Sequence, residues 1–224
     1  MPSDTLEPCP STVVKNDELA RFCAYMAEGL HAMAQPLTIL RSTVAASAAP
    51  GVTPAGQRRY LELSTQHVER TCGLFECLQD LVIASHVKAD RGPVELLEVL
   101  ALVVEDHKAL LETSAIELRV LVPDGLLPVL GDAARTMQAL SAALKVAASV
   151  SSPGSVIELQ VTARNGLVEL MVQNMRIHGR SLNSSQRLTL VLAEANVRSQ
   201  QGKFECTEDP FRVSITLPLQ EGYP

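Results

Sequence analysis

Apolar residues recur at spacings of three and four along the first part of the chain, through Leu19, Phe22, Met26, Leu30, Met33, Leu37, Leu40 and Val44. That rhythm is the seam of a helical bundle and predicts a helix over 17–49, with Asp17 as its N-cap. Pro50-Gly51-Val52-Thr53-Pro54 interrupts it as a turn. Leu61, Val68, Cys72, Phe75, Leu78 and Val82 then resume the spacing, which predicts a second helix over 54–89. Glu62, Gln66, Glu69, Arg70, Gln79 and Asp80 fill its outer face. Two long helices joined by a short turn cannot bury a whole seam alone, so the expected arrangement is a homodimer in which two hairpins form a four-helix bundle. Residues 1–16 hold three prolines and few large apolar groups, and are expected to form a disordered tail.

Asp90-Arg91-Gly92-Pro93 is a short linker and the expected domain boundary. Beyond it the pattern changes from all-helical to mixed. Residues 94–112 read as helix, and 116–122 alternate as a strand. Residues 126–132 read as a short extended piece ending at a helix cap, and the helix runs on to 150. Two alternating strands follow, 155–163 and 167–173, with Asn165-Gly166 as the hairpin turn. A helix over 185–200 is stopped by Gly202, and strands at 203–206 and 212–217 close the chain. The fold class expected is α+β: a helical hairpin at 17–90, then a two-layer α/β sandwich at 91–224.

Within the first helix one stretch invites chemistry: Gly29-Leu30-His31-Ala32-Met33-Ala34-Gln35-Pro36-Leu37-Thr38. With Leu30, Met33 and Leu37 on the seam, His31 lies one step off it and faces water or a partner. Pro36 donates no N–H and crowds the carbonyl of Ala32, which predicts a bend beside the histidine. Composition narrows the possibilities further. A net charge of −6 without a basic cluster argues against nucleic acid as a partner. Charges interrupt every apolar run well short of a membrane span, and the first residues carry no secretory pattern. Cys9, Cys23, Cys72, Cys77 and Cys206 are odd in number and lack zinc spacing, so they read as reduced, mostly buried thiols of a cytoplasmic protein. His67, His86, His107 and His178 show no metal spacing either.

The stretch at His31 resembles the phospho-acceptor box of two-component histidine kinases, in which a histidine is followed by four residues and then Pro-Leu-Thr. The likeness extends over roughly residues 17–219. Pro93-Val94-Glu95-Leu96 opens the second domain as that family does. Pro128-Val129-Leu130-Gly131-Asp132, followed by Arg135 and Gln138, sits where the family begins its nucleotide-binding helix. Val213-Ser214-Ile215-Thr216-Leu217-Pro218-Leu219 is similar to its last strand. The resemblance implies a dimeric acceptor bundle followed by a histidine-kinase-type ATPase-like sandwich. It also makes His31 the phosphoryl acceptor.

The resemblance fails at the nucleotide boxes. The asparagines that hold magnesium against the triphosphate in that family fall on Ala142 and Val146, and its lysine on Ser149. An alanine and a valine offer no oxygen to a hard cation. The Asp-x-Gly-x-Gly element that reads adenine has become Asn174-Met175-Arg176-Ile177, and the piece 175–184 is short for a nucleotide lid. The glycine-rich phosphate turn has become Arg187-Leu188-Thr189. The second domain is therefore expected to be degenerate, with no cofactor.

Ala32 also replaces the acidic residue that usually follows the histidine, leaving Glu28, one turn earlier, as the carboxylate able to orient the ring. Gln35, Pro36, Thr38 and Arg41 are the candidate partner contacts. The function expected is a histidine phosphotransferase of a phosphorelay, similar to two-domain phosphotransferases, that passes a phosphoryl group between response-regulator aspartates. Any Mg²⁺ would come from the partner receiver domain. The alternative is a non-catalytic pseudo-histidine-kinase, a scaffold that binds regulators or kinases.

Overall fold

A computed structural model describes residues 10–125, 128–174 and 181–220, with side chains of the first helix described from Leu19 onward. Two compact units emerge, Met1–Phe75 and Glu76–Pro224. The helices α1 (Pro10–Ser47) and α2 (Pro54–His86) occupy the first, with the last turns of α2 belonging to the second.

In the first unit, α1 starts at Pro10 rather than at Asp17. Proline suits the first helical position, because its φ is already helical and a helix leaves its first N–H groups unbonded. Asp17 is thus interior to the helix, and the expected tail keeps only residues 1–9, which lie outside the described residues. The helix passes through Pro36 to Ser47, and Thr53 caps α2 by accepting a hydrogen bond from the Gly56 amide at 3.2 Å.

The seam needs correcting. The positions buried on α1 are Gly29, Ala32, Pro36 and Thr43, one step from the predicted stripe. Leu30, Leu37 and Val44 are exposed, as are Leu61, Val68, Phe75 and Val82 on α2. Small side chains permit close helix approach, and the large apolar groups are left on the adjoining face.

The second unit has its own core. The strands are β1 (Gly92–Val94), β2 (Glu117–Leu121), β3 (Val129–Gly131), β4 (Val156–Arg164), β5 (Leu167–Asn174), β6 (Lys203–Glu208) and β7 (Phe211–Pro218). The helices are α3 (Leu96–Thr113), α4 (Ala133–Val150) and α5 (Ser184–Ser199). Five strands form one mixed sheet in the order β2-β4-β5-β7-β6, while β1 and β3 pair separately. Only the β2–β4 pair is parallel, with α4 in the crossover between them.

Alternation puts Ile157, Leu159 and Val161 of β4 in the core with Val168, Leu170 and Val172 of β5 and Val213, Ile215 and Leu217 of β7. Val99 and Val103 of α3 and Leu140, Leu144 and Ala147 of α4 join the same cluster, giving the layered sandwich the strand pattern implied. The β4–β5 turn is Asn165-Gly166, with φ of 52° and 75°, as the dipeptide predicts. Leu126 and Leu127, part of the expected extended piece, lie outside the described residues.

Candidate functional site

His31 is exposed on α1. Glu28, His31, Gln35 and Thr38 follow one another at three- and four-residue steps and share one helix face. Glu28 is half-buried, and Gln35 and Thr38 are exposed. The Thr38 hydroxyl donates to the Ala34 carbonyl at 2.8 Å, so its hydrogen lies along the helix while an oxygen lone pair stays outward. Arg41 is also exposed, turned to one side of Thr38.

Pro36 is not brought to this face. Five residues at 100° each put it about 140° around the helix from His31, and its ring is buried. Its place among the partner contacts is corrected accordingly: an apolar ring in register with Gly29 and Ala32 packs inward. Ala32, the residue after the histidine, is itself buried and turned away from this face.

In the second unit the positions of the nucleotide boxes are built as follows. Ala142 and Val146 are buried among the apolar groups of α4, 9% and 2% exposed. They present no oxygen, so the donor set does not suit a magnesium–nucleotide complex. Asn174 is fully buried at the end of β5, where its side-chain amide donates to Ser151 Oγ at 2.6 Å. Met175, Arg176, Ile177 and His178 lie outside the described residues.

Arg187, Leu188 and Thr189 are helical, inside the first turns of α5. Asn183 and Gln186 explain why. The Asn183 side chain accepts from the Gln186 amide and the Gln186 side chain accepts from the Asn183 amide, at 3.0 and 2.8 Å. This capping box starts the helix ahead of the segment that is a glycine-rich loop in the kinase pattern. A helix directs its amides along its own axis, so Arg187–Thr189 form no loop of bare N–H groups.

Gln186 Nε2 also donates to Ser149 Oγ at 2.8 Å, joining the start of α5 to the end of α4. Leu188 is buried, and Arg187 pairs with Glu208 at 3.2 Å. The same Glu208 accepts from the Leu182 amide, so the segment leading into α5 is fastened to the end of β6. A cleft of about 610 Å³ lies at the other end of β5, beside Gly166, Leu167, Pro218 and Arg91.

One cluster escaped the sequence reading. Arg135, buried on α4, donates to the carbonyl oxygens of Ala84 and Val87 at 3.1 and 2.7 Å and to Ser199 Oγ at 2.5 Å. Asp132 lies 3.5 Å from its Nε. Gln200, fully buried, accepts from the Asp132 amide and the Thr136 hydroxyl at 2.8 and 3.2 Å. The D-x-x-R spacing was visible, but its partners lie far away in sequence. The expectation of mostly buried thiols is corrected: Cys23, Cys72 and Cys206 are exposed on helix or strand surfaces, and Cys77, near the end of α2, is half-buried with its thiol pointing at the Leu188 carbonyl, 3.9 Å away. Burial first, and then the nearby Asp80 carboxylate, pushes that thiol from 9.0 to about 11.

This arrangement of helices and strands is the fold of histidine kinases. The chain is similar to the Acinetobacter baumannii histidine kinase AdeS, with a TM-score of 0.68 at 16% identity over 85% of this chain and 98% of that one. It is similar to the histidine kinase ThkA, solved in complex with the response regulator TrrA, with a TM-score of 0.70 at 15% identity over 97% of this chain and 68% of that one. The cytoplasmic segment of the histidine kinase QseC gives 0.51 at 15% identity, over 65% and 92%. No family model and no curated protein sequence matches the chain. Among the described residues no helix is long and apolar enough to cross a membrane, and no cluster of His, Cys, Asp and Glu suits a metal ion.

Proposed function

We propose that the chain is a histidine phosphotransferase of a cytoplasmic phosphorelay. It takes a phosphoryl group from the aspartyl phosphate of one response-regulator receiver and gives it to the aspartate of another through His31, without ATP. The observation that carries the reading is a pairing. An exposed histidine stands on a kinase-type helical hairpin, while the nucleotide helix beside Arg187–Thr189 offers only alkyl groups at Ala142 and Val146. A kinase neighbour solved with its response regulator supports a receiver as the partner.

In the first step a neutral imidazole nitrogen of His31 attacks phosphorus. The bond to the aspartyl oxygen breaks, the carboxylate leaves with the electron pair, and the ring's other N–H gives up its proton. The second step reverses this: a receiver carboxylate attacks, and the imidazole leaves and regains a proton. Such a transfer needs mainly positioning and charge neutralisation, and the receiver brings the acidic pocket and Mg²⁺ for the latter. Glu28, Gln35, Thr38 and Arg41 supply the positioning surface. The exposed stripe Leu30, Leu37 and Val44 with Leu61, Val68 and Phe75 supports a homodimer through a four-helix bundle.

The second reading, a non-catalytic scaffold that binds receivers, is favoured by Ala32. Incubation with a phosphorylated receiver and Mg²⁺ separates them. Label should move onto this chain as an acid-labile, base-stable phosphoramidate, and His31→Ala should abolish it while receiver binding persists. Binding without label supports the scaffold, and unchanged labelling of His31→Ala removes the acceptor assignment.

A further inference from the structure

The degenerate unit keeps a well-built feature that phosphotransfer at His31 does not use. Arg135 is a buried cation, 8% exposed, on the first turn of α4. Its guanidinium reaches the end of α2, where a helix leaves its last carbonyls unbonded. Two of its N–H groups are spent there, on Ala84 and Val87. Ser199 Oγ, on the last turn of α5, accepts a third hydrogen bond. A positive charge at a helix C-terminus is also favoured by the helix dipole.

Asp132 completes the arrangement. One carboxylate oxygen accepts from the Arg135 amide and so caps α4, at 3.1 Å. The other accepts from the Asp90 amide, also at 3.1 Å, and faces Arg135 Nε. Asp90 belongs to the short segment that joins α2 to β1. A single pair of residues therefore holds the end of α2, the connecting segment, the start of α4 and the end of α5. Three of the guanidinium's N–H groups are directed at specific acceptors, and the fork of the group is what allows three at once.

We propose that Asp132 and Arg135 form a latch that fixes the end of α2 and its connecting segment against the start of α4 and the end of α5. Residues 84–91 are then held against α4 and α5 within the second unit. The placement of the last turn of α2 against the start of α4 is set by these side chains. The latch stands on geometry alone and holds whether His31 carries phosphate or not.

Hydrogen exchange on the full chain tests it. Arg135→Gln removes the fork and the charge, and should raise exchange at residues 84–91 by about tenfold, while amides of β4, β5 and β7 stay within about twofold. Trypsin cleavage after Lys88 and Arg91 should rise in parallel. Arg135→Lys keeps the charge but not the fork, and should restore less than half of the protection. Should Arg135→Gln fail to fold, Ser199→Ala, which removes one acceptor only, should give a smaller rise at the same residues. Unchanged exchange at 84–91 overturns the latch. So does an equal rise throughout the sheet, because Arg135 would then be a general stabiliser of the unit.

Discussion

The two units handle their apolar side chains in opposite ways. In the second, Leu140, Leu144, Ile157, Leu159, Leu170, Phe211 and Ile215 are each almost completely buried within one chain. In the first, Leu30 is 60% exposed and Leu61 70%, although both sit in a regular apolar spacing on long helices. A sheet covered by three helices closes a core by itself, whereas two helices have only one face each to offer the other. The second unit therefore closes a core of its own, although Leu97, Leu102 and Leu110 of α3 stay exposed, and the first presents a stripe that calls for more helices. The contrast teaches that a regular apolar pattern specifies a contact but not whether the contact lies within the chain.

The contrast can be tested from both sides. The largest effect should come from the closed core. Leu144→Ala should cost about 3 kcal/mol of stability, whatever the protein concentration, because it leaves a cavity in a packed interior. Thermal unfolding followed at two concentrations checks this. Leu30→Asp combined with Leu61→Asp should leave the second unit's unfolding unchanged but convert the proposed dimer to monomer, raising its dissociation constant by about a hundredfold or more. Light scattering across a dilution series reads it, and a dimer of unchanged strength would mean that the exposed stripe is not the interface.

Nucleotide binding sharpens the difference in the second unit. Calorimetry with millimolar Mg-ATP should give no saturable heat. Ala142→Asn with Val146→Asn should recover none, since Arg187–Thr189 remain helical behind the Asn183–Gln186 capping box. A micromolar signal from the unmodified chain would mean that the second unit binds ATP and would remove the expectation of a degenerate domain. The smallest effect concerns the first unit's exposed face. Glu28→Gln should change the rate of label transfer by less than about twofold, because a half-buried carboxylate one turn away is a weak substitute for an adjacent base.

Much of the architecture was legible because it rests on local chemistry. Gly51, with φ of 86°, marks the turn between the long helices, and Asn165-Gly166 marks the β4–β5 hairpin. Alternation along 155–163 and 167–173 predicted the two strands that become β4 and β5, each with one apolar face in the core. The helix start at Pro10 was not legible, since Asp17 is also a good cap and nothing between them breaks a helix. The spacing of Glu28, His31, Gln35 and Thr38 was enough to put them on one face, while Pro36 was grouped with them by nearness in sequence and not by angle.

The chemistry available at each position follows from residue type alone. Ala142 and Val146 have no oxygen to give a cation in any fold, and His31 keeps its nucleophilic nitrogens wherever α1 is packed. Only the tertiary structure decided which face of α1 turns inward. Gly29, Ala32 and Pro36 lie about 100° from the leucine stripe, and both faces are apolar enough to be buried. It also decided the partners of Arg135, which sit 48, 51 and 64 residues away. Local spacing carries no information about such a contact, because the acceptors at Ala84 and Val87 are backbone carbonyls, identical in every residue, and become specific only where a helix ends against the side chain that caps it.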